Sequence, residues 1–349
     1  MLRSLGRSFV FHSRSKTNLE SSRNWKSYSM KTSASLRKYQ QEPSLVSAEW
    51  LKERLSEVKV LDATWYLPHM QKDPIDEFIR LGRIPGAQFF DLDGVCQPDT
   101  DLPHMLPTEA GFAAAADALG ISPTDTIVLY DRQGIFSAPR AWWTWKVLGH
   151  QGQVAVLDGG FDSWLACCGD DMVELTEVDR EDIERTRKAC RQAHDDPTLV
   201  STYKTSLRKE LVRSLADVVA NQDKKDAEAV VDARPAARFL GEAEEPRKGL
   251  AKGHIPGSKN IPWNAVLTEG AKKFKSKEDI RSVFTSVGLD PSLTNFSEVI
   301  ASCGSGTTAC ILVLASEQID DKKGIMSVYD GSWSEYGAAP GVPVDAGQK

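Results

Sequence analysis

At 349 residues the chain is longer than a single hydrophobic core usually supports, so two domains are expected. Its 41% hydrophobic and 26% charged content is that of an ordinary globular protein, and a net charge of −6 argues against nucleic acid as a partner and against wholesale disorder. No run reaches the roughly 20 apolar residues of a membrane-spanning helix, so no membrane is expected either.

The first 40 residues hold nine Lys or Arg, from Arg3 to Lys38, against one acid, Glu20, with abundant serine and no long apolar core. That pattern predicts an organellar transit peptide over 1–40, mitochondrial by its arginine content, with the plastid as the alternative. Translation from Met30 would leave a cytoplasmic form. The six cysteines, at 96, 167, 168, 190, 303 and 310, make no CxxC pair and no Cys/His cluster of zinc spacing. Free thiols in a reducing compartment, with no metal, are therefore expected.

From residue 41 the chain reads as one unit repeated. Val60-Leu61-Asp62-Ala63 returns as Val230-Val231-Asp232-Ala233, and Arg83-Ile84-Pro85-Gly86 returns as His254-Ile255-Pro256-Gly257. Val156-Leu157-Asp158-Gly159-Gly160 is echoed by Val328-Tyr329-Asp330-Gly331-Ser332. The offsets are 170, 171 and 172, in one order, so the chain is a tandem duplication. Apolar runs over 126–130 and 297–301 predict buried strands. Helical patterns over 110–119, 139–148, 277–287 and 308–317 alternate with them. The fold class is thus α/β: two tandem domains, each a parallel sheet with helices on both faces and functional loops at the carboxyl ends of its strands. The expected boundaries are 41–168 for a non-catalytic domain, 169–204 for a charge-rich linker with a helical stretch, and 205–349 for a catalytic domain. Cys167 and Cys168, at the first boundary, read as ordinary thiols. Trp142, Trp143 and Trp145 read as packing.

The chemistry gathers after the strand at 297–301, in Cys303-Gly304-Ser305-Gly306-Thr307-Thr308-Ala309, just before a helix. The N–H groups of such a Gly-rich turn, with the helix dipole, form a positive cradle that stabilises a thiolate. Gly304 and Gly306 are expected to supply the backbone freedom of the turn, and Ser305 a hydroxyl that passes protons. By position alone Cys303 is equally a buried strand-end cysteine; a phosphate loop is a third reading that lacks the Walker lysine. The repeat separates them. At an offset of 172 Asp131 stands opposite Cys303, so one copy keeps a nucleophile and the other does not. Arg238 and Arg247 follow the strand that ends at Asp232, and their guanidinium forks suit an anionic substrate over Cys303. Taken singly, each reads more simply as a surface ion pair.

Together these residues resemble the tandem-domain rhodaneses, and within that family the plant-type 3-mercaptopyruvate sulfurtransferase branch. The likeness rests on the Cys303 loop, Gly253-His254-Ile255-Pro256-Gly257, Asp330-Gly331-Ser332-Trp333, Ser137-Ala138-Pro139-Arg140-Ala141-Trp142-Trp143 and His104-Met105-Leu106-Pro107. It implies that Cys303 takes sulfur from 3-mercaptopyruvate as a persulfide, releases pyruvate, and passes the sulfur to thioredoxin, another thiol or cyanide. It implies Arg238, Arg247, Gly304, Gly306, Thr307 and Thr308 as substrate-binding residues, Ser305 as a catalytic partner of Cys303 in a proton relay, and no cofactor. The neutral Gly304 and Ser305 suit a monoanion better than thiosulfate, which is expected to be a weak donor. The alternatives are a thiosulfate:cyanide sulfurtransferase, a cysteine-dependent phosphatase, whose loop would be longer and end in Arg, and a non-catalytic persulfide carrier. Two departures stand out. Thr307 occupies a position where the family has valine, and Arg83 one where histidine precedes Ile-Pro-Gly. Some members are expected to use that histidine in the relay, so Arg83 puts the proton path in question. His254, in the second copy, is expected to be structural.

Overall fold

A computed structural model describes residues 43–319 and 324–347; the leader at 1–40 lies outside them. In the first half, β1 (Leu45–Val46) leads to α1 (Ala48–Arg54), β2 (Lys59–Asp62), α2 (Pro74–Arg80), β3 (Gln88–Phe89), α3 (Glu109–Ala118), β4 (Ile127–Tyr130), α4 (Ala138–Val147), β5 (Val154–Leu157) and α5 (Gly160–Cys168). After α6 (Arg180–Asp195) the second half runs through β6 (Val212–Arg213), α7 (Leu215–Gln222), β7 (Ala229–Asp232), α8 (Ala236–Phe239) and β8 (Lys259–Asn260). It finishes with α9 (Lys277–Ser286), β9 (Val299–Ser302), α10 (Ala309–Ile319), β10 (Ser327–Tyr329) and α11 (Ser332–Tyr336).

The duplication is visible in the topology. Both sheets are five-stranded and wholly parallel, ordered β1-β5-β4-β2-β3 and β6-β10-β9-β7-β8, so each strand of the second copy takes the place of its counterpart in the first. The expected α/β class holds, and the predicted strands and helices fall within two residues of the observed ones. Along β4 the side chains alternate: Ile127 and Leu129 join the core under α3 and α4, while Val128 and Tyr130 join that under α1, α2 and α5. That division is what covering a parallel sheet on both faces requires.

One hydrophobic core runs through both halves, because Ala141 and Trp142 of α4 belong to the same cluster as Leu312 and Val313 of α10. Trp142, Trp143 and Trp145 are fully buried, as expected of packing residues, each worth about 3 kcal/mol of burial. Polar ties cross between the halves too, including Phe274 N–H donating to Asp158 Oδ1 at 3.0 Å. Among the described residues no helix is long and apolar enough to cross a membrane.

The segment after α5 is not slack. Asp179 caps α6 by accepting from Glu181 N–H, and α6 packs along α3. Its basic face then grips the loop between β3 and α3: Arg187 Nε donates to Asp91 Oδ2 at 2.9 Å, and Arg191 pairs with Asp99 at 3.1 Å. Asp99, His194 and Asp195 also gather here, but Arg191 already neutralises both carboxylates.

Candidate active site

Strand β9 ends at Ser302, level with Asp232 of β7, and Cys303 is the first residue beyond the sheet. The loop from Cys303 to Thr308 then enters α10. Gly306 sits at φ +76°, a conformation that L side chains rarely adopt, and a Cβ there would meet Arg140 Nη1 at 2.8 Å and the Asp330 carbonyl at 2.9 Å. Gly304 is needed for a different reason than expected. Its φ is not left-handed; the absent side chain leaves room for Arg238, whose Nη2 would lie 3.2 Å from a Cβ.

A second turn, after β10, braces the loop from beneath. Ser332 Oγ accepts from Cys303 N–H at 3.2 Å and Gly306 N–H at 3.1 Å, while donating to the Tyr329 carbonyl at 2.8 Å. Trp333 N–H holds the Cys303 carbonyl at 3.0 Å. Among the described residues no protein acceptor takes the N–H groups of Gly304, Ser305 or Thr307, so these remain for an anion. The first-half copy shows what such a loop holds. There the buried Asp131 carboxylate accepts from the N–H groups of Gln133, Phe136, Ser137 and Ala138, each at 2.9 Å. Burial outweighs those bonds and pushes the Asp131 carboxyl up to about 6. One copy thus fills its cradle with its own carboxylate; the other places a thiol at the equivalent position.

His104 faces Ser305 across the halves. Its Nδ1 lies 3.3 Å from Ser305 Oγ and 3.2 Å from Thr307 Oγ1, and its Nε2 lies 3.2 Å from Asp93 Oδ1. Burial raises Asp93's proton affinity, but hydrogen bonds from His104 and Trp65 outweigh it and hold the carboxyl below its ordinary range. Three non-glycine residues among those described have positive φ: Gln71, His104 at +60° and Ser332 at +50°. Two of the three are in this site, and strained backbone concentrates where geometry matters.

Arg83, which the sequence placed in doubt as a relay position, is elsewhere. Its guanidinium ends on Glu174 and on the hydroxyl and carbonyl of Thr176, and its main chain bridges Glu174. His254 bridges Asp345 in the same manner, stacks on Phe239 at 3.8 Å and sets its Nδ1 2.8 Å from the Phe239 carbonyl, which fits the structural role expected of it. The Ile-Pro-Gly motif therefore pins each copy to the segment that follows it, and the question raised by Arg83 falls away.

Arg140, at the start of α4, joins these parts. It is 1% exposed and pairs with Asp330 at 2.7 Å; it also hydrogen-bonds the carbonyls of His104 and Gly306 and stacks over Trp143. Asp330 Oδ2 in turn accepts from Leu106 N–H at 2.8 Å.

Above the loop is a chain of charge. Glu245 lies between Arg234 Nη1, at 2.7 Å, and the Arg238 fork, and Arg234 is paired again with Asp232. Arg247 makes no ion pair or hydrogen bond among the described residues. Burial and the charge of Arg238 lower its proton affinity, and the only groups acting the other way are Cys303 and Glu245. The structure thus brings Arg238, Arg247, Ser305 and Thr307 around Cys303. Thr308 contributes its carbonyl, which accepts from Ile311 N–H, and no side-chain hydrogen bond among the described residues. Cys310 faces the core, donating to the Gly306 carbonyl at 3.2 Å, and burial raises its thiol far above the ordinary range.

Asp93 is a member of this cluster that sequence reasoning missed, and His104, Arg140 and Ser332 were singled out only as parts of motifs. The rhodanese-like domain model matches residues 47–167 and 214–339. A relative from Arabidopsis thaliana, thiosulfate/3-mercaptopyruvate sulfurtransferase 1, mitochondrial, is 41% identical over 86% of this chain and 78% of its own. Mouse 3-mercaptopyruvate sulfurtransferase is 38% identical over 84% of this chain and 91% of its own. The crystal structure of the Escherichia coli 3-mercaptopyruvate sulfotransferase SseA superposes with a TM-score of 0.66 at 31% identity, covering 84% of this chain and 100% of that one.

Proposed function

The chain belongs to the rhodanese-like family, and from that premise we propose that it is a 3-mercaptopyruvate sulfurtransferase that carries sulfur on Cys303. In the first half-reaction the Cys303 thiolate attacks the sulfur of 3-mercaptopyruvate. The carbon–sulfur bond breaks, leaving a Cys303 persulfide and the enolate of pyruvate. Ser305 protonates the enolate carbon and recovers its proton from His104 Nδ1, with Asp93 balancing the ring's charge through Nε2. In the second, an acceptor thiol attacks the outer sulfur and regenerates the thiolate.

One observation carries the choice of donor. Arg234, Arg238 and Arg247 are set against Asp232 and Glu245, so the arginine cluster offers one uncompensated positive charge, on Arg247. That balance suits the monoanion of a keto acid and leaves a thiosulfate dianion short of a partner. A charge-assisted hydrogen bond is worth about 1.5–3 kcal/mol, so 3-mercaptopyruvate is expected to exceed thiosulfate in kcat/KM by at least about tenfold. Supplying both donors in parallel with a dithiol acceptor tests this, and a thiosulfate preference would overturn it. On the same reasoning Arg247→Ala raises the KM for 3-mercaptopyruvate about tenfold or more, while the rate of persulfide transfer to thiol changes little.

His104→Asn tests the relay. General acid–base assistance is worth about 100-fold or more, so kcat falls by that order with KM nearly constant. An unchanged kcat would mean that the enolate is protonated directly by water. A cysteine-dependent phosphatase is disfavoured by the absence of Arg from Cys303 to Thr308. The acceptor is a thiol, thioredoxin being the one we favour, or cyanide. We place the protein in the mitochondrion on its basic, acid-poor leader, a reading supported by the mitochondrial relative.

A further inference from the structure

Two hydroxyls, not one, stand at the relay histidine. Thr307 Oγ1 is 3.2 Å from His104 Nδ1 and Ser305 Oγ is 3.3 Å from the same atom. Thr307 is 3% exposed, and among the described residues His104 is the only hydrogen-bond partner of its hydroxyl. We propose that Thr307 is a positioning residue for His104, its hydroxyl holding the imidazole Nδ1 in line with Ser305 throughout the proton step. The proposal rests on the relay described above and adds a member to it.

The reasoning starts from what the ring has left to offer. His104 Nε2 is committed to Asp93, Trp65 walls the ring edge-on at 4.6 Å between centroids, and Arg140 fixes the His104 carbonyl. Only Nδ1 remains. A neutral imidazole presents there one lone pair, and the charged ring one N–H. With a lone pair, either hydroxyl can donate; with an N–H, both oxygens accept in a three-centred bond. The Thr307 oxygen therefore has a favourable arrangement in both charge states, and the ring need not turn as the proton leaves. Ser305 alone would lose its hold on Nδ1 at the moment its own proton passes to the enolate. Thr307 keeps hold because its proton is not consumed: the atom transferred comes from Nδ1 through Ser305, and Thr307 ends the cycle unchanged. Its β-branched side chain helps, since χ1 has few alternatives, and its backbone lies in the loop braced by Ser332.

The test separates the hydroxyl from the methyl. Thr307→Val keeps the shape and removes the oxygen; Thr307→Ser keeps the oxygen. Loss of one hydrogen bond to the reacting ring is expected to lower kcat for 3-mercaptopyruvate about tenfold in Thr307→Val with KM unchanged, and Thr307→Ser is expected to restore it to within about threefold. In a His104→Asn background, Thr307→Val is expected to have no further effect, because it acts through the ring. The ¹⁵N resonance of His104 Nδ1, followed in the free enzyme, is expected to move in Thr307→Val and return in Thr307→Ser. Equal losses in the two variants, or an additive loss in the His104→Asn background, would overturn the proposal in favour of simple packing. So would an unmoved Nδ1 resonance. If wild type turns over no 3-mercaptopyruvate, the function proposed above fails, and the resonance still decides whether Thr307 holds His104.

Discussion

Cys303→Ser is expected to abolish sulfur transfer while leaving the fold intact. The substitution is nearly isosteric, and the contacts that fix residue 303 are made by its backbone, to Ser332 Oγ and Trp333 N–H, so both survive. A serine hydroxyl in the same cradle stays protonated and has no means of storing sulfane sulfur. Removal of a covalent nucleophile commonly costs about 10⁴- to 10⁶-fold in kcat, and a loss of at least about 10⁴ is expected in pyruvate release with a dithiol acceptor. Thermal unfolding should be displaced by no more than the equivalent of about 1 kcal/mol. Turnover within about 100-fold of wild type would place the nucleophile elsewhere.

Arg140→Met is expected to cause a large loss of stability. Arg140 and Asp330 are both almost fully buried and ion-paired at 2.7 Å. Removing one partner leaves an uncompensated buried charge, at a cost of about 3–5 kcal/mol, which denaturant unfolding would register directly. The same change frees the carbonyls of His104 and Gly306, so kcat is expected to fall as well under conditions where the variant remains folded. Adding Asp330→Asn removes the stranded charge and should recover most of the stability. It should not recover kcat, because the carbonyl of His104 still lacks its donor. Loss of less than about 1 kcal/mol in Arg140→Met would mean that the pair is dispensable and that His104 is held from elsewhere.

What the residues disclosed, and what they concealed, follows from the range over which each signal acts. The duplication is local and repetitive, so Val60-Leu61-Asp62-Ala63 and its echo sufficed to foretell two equivalent parallel sheets, and strand-end chemistry placed Cys303 at the mouth of one. The turn at Gly306 and the helix that follows it were legible. The proton path was not. Arg83 and His104 both lie in loops of the first half, and nothing in the spacing says which loop reaches Ser305, some 200 residues away in the chain. That is decided by the shared core of α4 and α10, which brings Arg140 under both His104 and Gly306. The strained φ of His104 and Ser332 is likewise a product of tertiary context; in the first copy Gly160, which aligns with Ser332, adopts φ +56° without strain. Gly304 was marked for backbone freedom, whereas what it supplies is room, because the side chain it accommodates, Arg238, arrives from a different strand end.

The central claim is that sulfur travels on Cys303, and mass spectrometry of the protein after one exposure to 3-mercaptopyruvate without acceptor tests it most directly. The account predicts the mass of one added sulfur atom, located to the peptide bearing Cys303, formed together with one equivalent of pyruvate and removed by a thiol. Pyruvate release with no sulfur on Cys303, or sulfur found instead on Cys167 or Cys168, would contradict it.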